Sequence, residues 1–272
     1  MNFLKRGVQK LTRQAEDIFK DNMEKYNDPE YYDLQYQNYL KDLPFLLDWA
    51  EKQNGKIVDL ACGTGRLTIP LAEQGYNIIG VDINEGMLNR AKEKTKNMNL
   101  PIQWELQDCT ELSLNMVGSL IYMTGNSFQH FLTNESQNRL LKSVNTHLVD
   151  AGVFIFNTRF PILNELAIID ESKQTYFDKR NRKVTECEVD SYNPLTQILH
   201  STSTREIYNN NGEVISIEKD SISLRYVFPL EMERLIEQNG FSILNVYSSW
   251  QKDPLKKDSS EMIYVCKKIS PY

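Results

Sequence analysis

The chain has 272 residues, 40% hydrophobic and 25% charged, with a formal net charge of -6. That length suits one large α/β domain with an addition, and the acidic balance gives no global attraction to nucleic acid. No apolar run approaches the ~20 residues of a membrane span, no signal peptide opens the chain, and Cys62, Cys109, Cys187 and Cys266 lack C-x-x-C spacing. The expectation is a cytoplasmic protein with reduced thiols, no membrane contact and no metal site.

Residues 3–20 place Phe3, Leu4, Val8, Leu11, Ala15, Ile18 and Phe19 at helical spacing among basic residues, which predicts an amphipathic helix. Its apolar stripe packs on its own domain, with a membrane surface as the rival reading. A tyrosine-rich stretch follows, with Tyr26, Tyr31, Tyr32, Tyr36 and Tyr39. Residues 40–53 read as a helix. Next comes Lys56-Ile57-Val58-Asp59-Leu60-Ala61-Cys62-Gly63-Thr64-Gly65-Arg66-Leu67, a doubly buried strand, a small-residue turn and the start of a helix. That geometry lets a ligand approach bare backbone amides at a helix N-terminus.

Residues 76–82 form a second buried strand ending in Asp82, a carboxylate about 20 residues past the turn that suits the two hydroxyls of a ribose. Asn84 caps a helix carrying Met87, Leu88 and Ala91. Ile83 and Met87 are placed to pack on a flat base, although core filling explains Met87 equally well. Residues 102–106 are a third strand, leading into Gln107-Asp108-Cys109-Thr110. Residues 117–123 are a fourth, leading into Thr124-Gly125-Asn126-Ser127-Phe128-Gln129-His130. In open α/β sheets ligands sit beyond the carboxyl ends of the strands, so this last loop faces the reacting group. A helix capped by Thr133 or Asn134 runs to Leu148, and residues 152–158 make a fifth strand with Arg159 just beyond.

The pattern then changes. Residues 184–192, 195–208 and 213–228 alternate in the manner of strands, and Asn209-Asn210-Asn211-Gly212 is a hairpin turn. Pro229 opens a helix that ends before Gly240, and residues 241–250 and 262–268 supply two last strands.

Asp59, the Ala61-Cys62-Gly63-Thr64-Gly65 turn and Asp82 together resemble the first two motifs of the class I S-adenosylmethionine (SAM)-dependent methyltransferases, with Ala61 at that family's usual first glycine. The nicotinamide fingerprint G-x-G-x-x-G requires glycine at position 68, where Thr68 stands. The resemblance implies a seven-stranded Rossmann-like sheet with helices on both faces, one reversed strand, and an inserted antiparallel β-sheet lid. It implies SAM as cofactor, leaving as S-adenosylhomocysteine. The implied cofactor contacts are Tyr32, Asp59, Ala61, Gly63, Thr64, Gly65, Asp82, Ile83, Met87, Asp108, Cys109 and Thr124. Tyr32-Asp33 matches a Tyr-Asp pair ahead of the first core helix, and Asp108 matches the position that binds the adenine amino group. Asp59 accepts from a ligand amine or fixes the loop amides.

Gly125-Asn126-Ser127-Phe128-x-His130 resembles the loop of glycine and sarcosine N-methyltransferases, and sugar-amine N-methyltransferases also place a histidine here. That makes His130 a candidate base, the alternative being that it orients the loop. Arg159 matches an arginine that grips a substrate carboxylate in the glycine enzymes, the alternative being a salt bridge to a neighbouring loop. Those enzymes carry an acid two residues earlier, where this chain has Asn157. The expected organisation is a SAM-binding domain over residues 1–159 and 229–272, with an insertion over residues 160–228 that supplies substrate contacts or a homodimer surface. The expected activity is methyl transfer to a small-molecule acceptor, at nitrogen before oxygen. A non-catalytic SAM-binding regulator and an RNA methyltransferase are the alternatives.

Overall fold

The apolar runs become the strands of a central sheet in the computed structural model, which describes residues 22–23, 26–166, 170–178 and 180–269. The helix expected over residues 3–20 lies outside the described residues. Helix α1 spans Pro29–Tyr36 and α2 Leu43–Gln53. Strand β1 (Ile57–Leu60), helix α3 (Thr68–Glu73), β2 (Ile78–Asp82), α4 (Glu85–Thr95), β3 (Ile102–Leu106) and β4 (Gly118–Met123) then alternate. They are followed by α5 (Asn134–Thr146), β5 (Leu148–Arg159), α6 (Leu163–Leu166), β6 (Asp170–Phe177), β7 (Lys183–Asn193), β8 (Ile198–Tyr208) and β9 (Val214–Arg225). Helix α7 (Pro229–Gln238), β10 (Phe241–Tyr247) and β11 (Glu261–Lys268) complete the order.

Seven strands form one sheet in the order β10-β11-β5-β4-β1-β2-β3. Neighbours from β5 to β3 pair in parallel, while β11 runs antiparallel to both β5 and β10. Alternate residues of the central strands feed two cores. Val58, Leu60, Ile121, Met123, Phe154 and Phe156 pack with α5 and α7 residues on one face. Ile57, Leu120, Tyr122, Val153 and Ile155 pack with α2 and α3 residues on the other. This is the helix-covered Rossmann-like sheet the sequence pattern implies. The reversal in strand order lies between β1 and β4, which opens a crevice at their carboxyl ends.

Two boundaries differ from expectation. Helix α5 stops at Thr146, and β5 begins at Leu148 instead of near Gly152. The strand pairs first at Gly118–Leu148 and resumes at Leu120–Val153, a bulge with Ala151 at φ +61°. The polar Asp150 in that bulge hides the strand from an apolar-run reading. The second difference is β6, which the sequence reading does not contain. Its residues are polar and largely exposed, as befits an edge strand.

Residues 26–160 and 227–269 form one compact unit, and residues 161–166, 170–178 and 180–226 with Asn22 and Met23 fall in another. The second unit contains the antiparallel sheet β6-β7-β8-β9, with Leu166, Leu199 and Tyr226 as its small core. At the outer edge of β9 the Asn22 amide pairs with the Ser223 backbone. It accepts from Ser223 N at 2.6 Å and donates to Ser223 O at 2.8 Å. Among the described residues no helix is long and apolar enough to cross a membrane.

Candidate active site

The turn after β1 is shaped by left-handed backbone: Ala61 at φ +53°, Gly63 at +57° and Gly65 at +80°. Ala61 is exposed, and it holds a conformation that costs a β-carbon roughly 1 kcal/mol or more. A β-carbon added to Gly63 would lie 3.4 Å from Met87 Cε and 3.9 Å from Tyr32 Cε1, so two side chains flank the bare backbone. Asp82 fastens the turn to the end of β2. Its Oδ2 accepts from Gly63 N at 2.7 Å, and its Oδ1 accepts from Asn84 N at 2.8 Å. Burial pushes this carboxyl up from its ordinary value, while the backbone amides of Asn84, Gly63 and Ile83 oppose the shift.

Trp104, absent from the sequence reading, supports the turn from β3. Its indole lies where β-carbons of Gly65 and Gly80 would be, 2.7 and 2.6 Å from them. Asp59 stands behind the turn, fully buried, with Oδ2 accepting from Thr68 Oγ1 at 2.6 Å. Burial pushes the Asp59 carboxyl up to about 7 against the opposing hydrogen bond from Thr68. Tyr122 is its register partner on β4, and the Tyr122 hydroxyl has no hydrogen-bond partner of normal geometry.

Helix α1 is tied to the same turn. Asp33 Oδ1 accepts from Thr64 Oγ1 at 2.5 Å and from Lys94 Nζ at 2.9 Å, and Oδ2 accepts from Arg90 Nε at 3.0 Å. Burial alone would raise the Asp33 carboxyl, but the hydrogen bonds from Thr64, Lys94 and Arg90 outweigh it and hold it below the usual range. One helical step away, the Tyr32 ring packs 4.8 Å from Tyr36 and 6.1 Å from Tyr26. Burial pushes the Tyr32 phenol up to about 12 and the Tyr26 phenol higher, so both keep their protons.

Arg66, directly after the glycine turn, forks onto Asp42 at 2.8 and 2.7 Å and reaches Thr124 Oγ1 at 3.3 Å. It also donates to the Tyr39 carbonyl and lies over the Tyr39 ring. This bidentate pair joins the segment before α2, the turn after β1 and the end of β4.

Beyond β4 two consecutive residues are left-handed, Gly125 at φ +68° and Asn126 at φ +59°. Asn157 on β5 holds them: its Oδ1 accepts from Asn126 N at 3.2 Å, and its Nδ2 donates to Asn126 Oδ1 at 2.9 Å. The same Nδ2 donates to Glu261 Oε1 at 2.5 Å. His130 closes the loop, with Nε2 sharing a 3.0 Å hydrogen bond with Tyr26 Oη and the rings edge-on at 5.8 Å. The Tyr26 and His130 pairing joins two residues 104 positions apart that the sequence does not link. The Arg159 side chain is exposed and makes no ion pair or hydrogen bond among the described residues.

The remaining expected residues fall around the carboxyl ends of β2 and β3. Ile83 is 41% exposed, while Met87 is buried and its amide donates to the Asn84 cap at 3.0 Å. Asp108 is exposed and caps a short 3-10 turn, its Oδ1 accepting from Thr110 N at 2.8 Å, with Cys109 buried behind it. Thr64 and Asp59 are both buried, with Thr64 Oγ1 donating to Asp33 and Asp59 Oδ2 accepting from Thr68. Arg66, Trp104 and Glu261 are the residues of this region that sequence reasoning does not single out, and of these only Arg66, next to the glycine turn, has a local signal. Tyr26 and Asp33 stand in the sequence reading as part of the tyrosine-rich stretch and of the Tyr32-Asp33 pair, without the partners they take here.

Residues 57–152 match a family model described as a methyltransferase domain. Among curated relatives, a putative methyltransferase (YqeM) of Bacillus subtilis is 32% identical over 113 residues, 40% of this chain and 45% of that one. The chain thus spans under half the length of that relative. A glycine/sarcosine N-methyltransferase of Aphanothece halophytica is 23% identical over 94% of this chain and 98% of its own. A SAM-dependent methyltransferase structure from Clostridium acetobutylicum shares the fold with a TM-score of 0.74 at 21% identity, covering 89% and 97% of the two chains. An amino pentose methyltransferase from Micromonospora echinaspora, solved with SAM bound, gives 0.68 at 13% identity, over 88% and 96%. Residues 57–152 thus match a methyltransferase domain, and the chain shares with SAM-dependent methyltransferases this sheet, the acid at the end of β2 and the glycine turn beside it.

Proposed function

We propose that the protein methylates the nitrogen of a small amine. The observation that carries the reading is the hydrogen-bonded Tyr26–His130 pair at the carboxyl edge of the sheet, set in the loop after β4. The full-length similarity to a glycine/sarcosine N-methyltransferase supports the same acceptor class.

The residues around the glycine turn fit the cofactor. Asp82 stands at the end of β2, where a carboxylate suits the two ribose hydroxyls. Ile83 offers an exposed apolar face, and Asp108 an exposed carboxylate for an adenine amino group. Met87 and Tyr32 flank Gly63, where a ligand passes closest to the backbone with Ala61 and Gly65 on either side. Asp59 acts from behind, holding Thr68, and Thr64 serves through its bond to Asp33. Thr124, at the end of β4 beside Arg66, and the buried Cys109, next to Asp108, complete the residues assigned to the cofactor. Bound there, SAM supplies a methyl group on a positively charged sulfur.

The protein's work is then positioning and proton handling. Effective molarities of ~10⁵ M or more are available from good alignment. Tyrosines that keep their protons line the approach without adding charge, which favours a neutral nucleophile. His130 takes the proton released by the acceptor nitrogen, and Tyr26 fixes the imidazole in place. Arg159, exposed and unpaired among the described residues, is available to an acceptor carboxylate.

The test is label transfer from methyl-labelled SAM to glycine, sarcosine, amino sugars and catechol. Label on nitrogen supports the reading, and label on catechol alone, or on RNA, overturns it.

A further inference from the structure

Where β5 carries Asn157, the neighbouring strand β11 brings a carboxylate to it, that of Glu261. In the β11–β5 register Glu261 stands opposite Arg159, and Ile263 opposite Asn157, so Glu261, Arg159 and Asn157 share one face of the sheet. Asn157 is nearly fully buried, and its amide is saturated: both nitrogen hydrogens and the oxygen are engaged by Asn126 and Glu261. It has nothing left for a ligand. Glu261 does. Its Oε1 is held by Asn157, while Oε2 has no hydrogen-bond partner among the described residues.

The other carboxylate of this corner is already occupied. Asp42 is bidentate to Arg66, with both oxygens used. Arg159 faces Glu261 across the strands without closing a salt bridge on it. Glu261 is half-buried, so an incoming cation meets it in a medium where the attraction is stronger than at a fully exposed site. The amide that orients it also orients Asn126, four residues before His130. One buried side chain therefore sets both the loop and the free carboxylate oxygen.

We propose that Glu261 anchors the acceptor as it arrives as an ammonium ion, its Oε2 accepting a charge-assisted hydrogen bond from the acceptor nitrogen, with Asn157 as the positioning residue that aims it. One proton of the ammonium then passes to His130, which frees the nitrogen lone pair to take the methyl. The proposal rests on the nitrogen-acceptor reading above and narrows it to amines that arrive protonated. Small primary and secondary amines fit, while amides and phenols do not.

The test uses the full chain, methyl-labelled SAM, and glycine, sarcosine and glucosamine as probes. Glu261→Gln keeps the acceptor for Asn157 and removes the charge. It should raise KM for whichever amine turns over roughly tenfold or more, with S-adenosylhomocysteine affinity unchanged. Glu261→Asp, which keeps the charge, should recover part of that loss. Amine methylation with the same KM in Glu261→Gln overturns the proposal while leaving nitrogen transfer standing. Label found only on oxygen acceptors removes the nitrogen reading and this proposal with it.

Discussion

Asp33 on α1 accepts a 2.5 Å hydrogen bond from Thr64 in the glycine turn, and with Arg90 and Lys94 of α4 it binds three elements through one carboxylate. The next side chain back, Tyr32, flanks Gly63. Asp33 therefore acts on the turn at one remove, by fixing the helix that carries the tyrosine.

Asp33→Ala should lower stability by about 1–3 kcal/mol, because Thr64 loses its acceptor while Arg90 and Lys94, both partly exposed, regain water. It should also weaken cofactor binding without changing the acceptor preference. Denaturant melts and calorimetric titration with SAM read the two effects. The folded carboxyl titrates below its unfolded value, so wild-type stability from this group is present at neutral pH and declines as acid protonates it.

Asp59 has the opposite sign. Its carboxyl is raised to about 7, so the stability it contributes is full in acid below the ordinary carboxylate range and is lost as pH rises toward 7. The slope from one such group is at most about 1.4 kcal/mol per pH unit. Asp59→Asn keeps an acceptor for Thr68 and cannot ionise, so unfolding free energy measured from pH 5 to 8 should fall less steeply than in wild type. Parallel curves would show that Asp59 does not titrate in this range.

Gly80 faces the indole of Trp104. A β-carbon there would lie 2.6 Å from the ring and 3.1 Å from Cys62 Sγ, so Gly80→Ala should cost about 1–3 kcal/mol by overpacking. Trp104→Ala also destabilises on its own. The double variant should be less unstable than the sum of the two, and a thermodynamic cycle measures that coupling.

His130→Ala should reduce kcat by roughly 10²–10⁴ if the imidazole carries the proton, with cofactor affinity nearly unchanged. Tyr26→Phe, which removes only the hydroxyl bonded to Nε2, should show a smaller drop in kcat. Full turnover in His130→Ala would assign the histidine a purely structural part.

What was readable in the chain follows from where its information lies. β1, β2 and β4 are buried on both faces, and their continuous apolar residues mark them as strands without help from any partner. Asn84 signals its helix by capping chemistry that is local, and the structure places its side chain on Met87 N. Asp82 lies at the strand end where the spacing puts it. β6 was illegible because an edge strand has no need of apolar residues, and the start of β5 was hidden by its bulge. Arg66–Asp42, Tyr26–His130 and Asn157–Glu261 were illegible for another reason. Each joins segments far apart in the chain, and no local pattern encodes which polar residue will meet which.

The separation between partners also differs across the sheet. Gly63 and Asp82 are 19 residues apart, whereas Asn157 and Glu261 are 104 apart, because β6 to β10 lie between β5 and its neighbour β11 in the chain. Closing the longer loop costs about 1.5 kcal/mol more chain entropy. The glycine turn is thus fastened by a near neighbour in the chain, while the loop after β4 is fastened, through Asn157, to a strand that arrives 104 residues later.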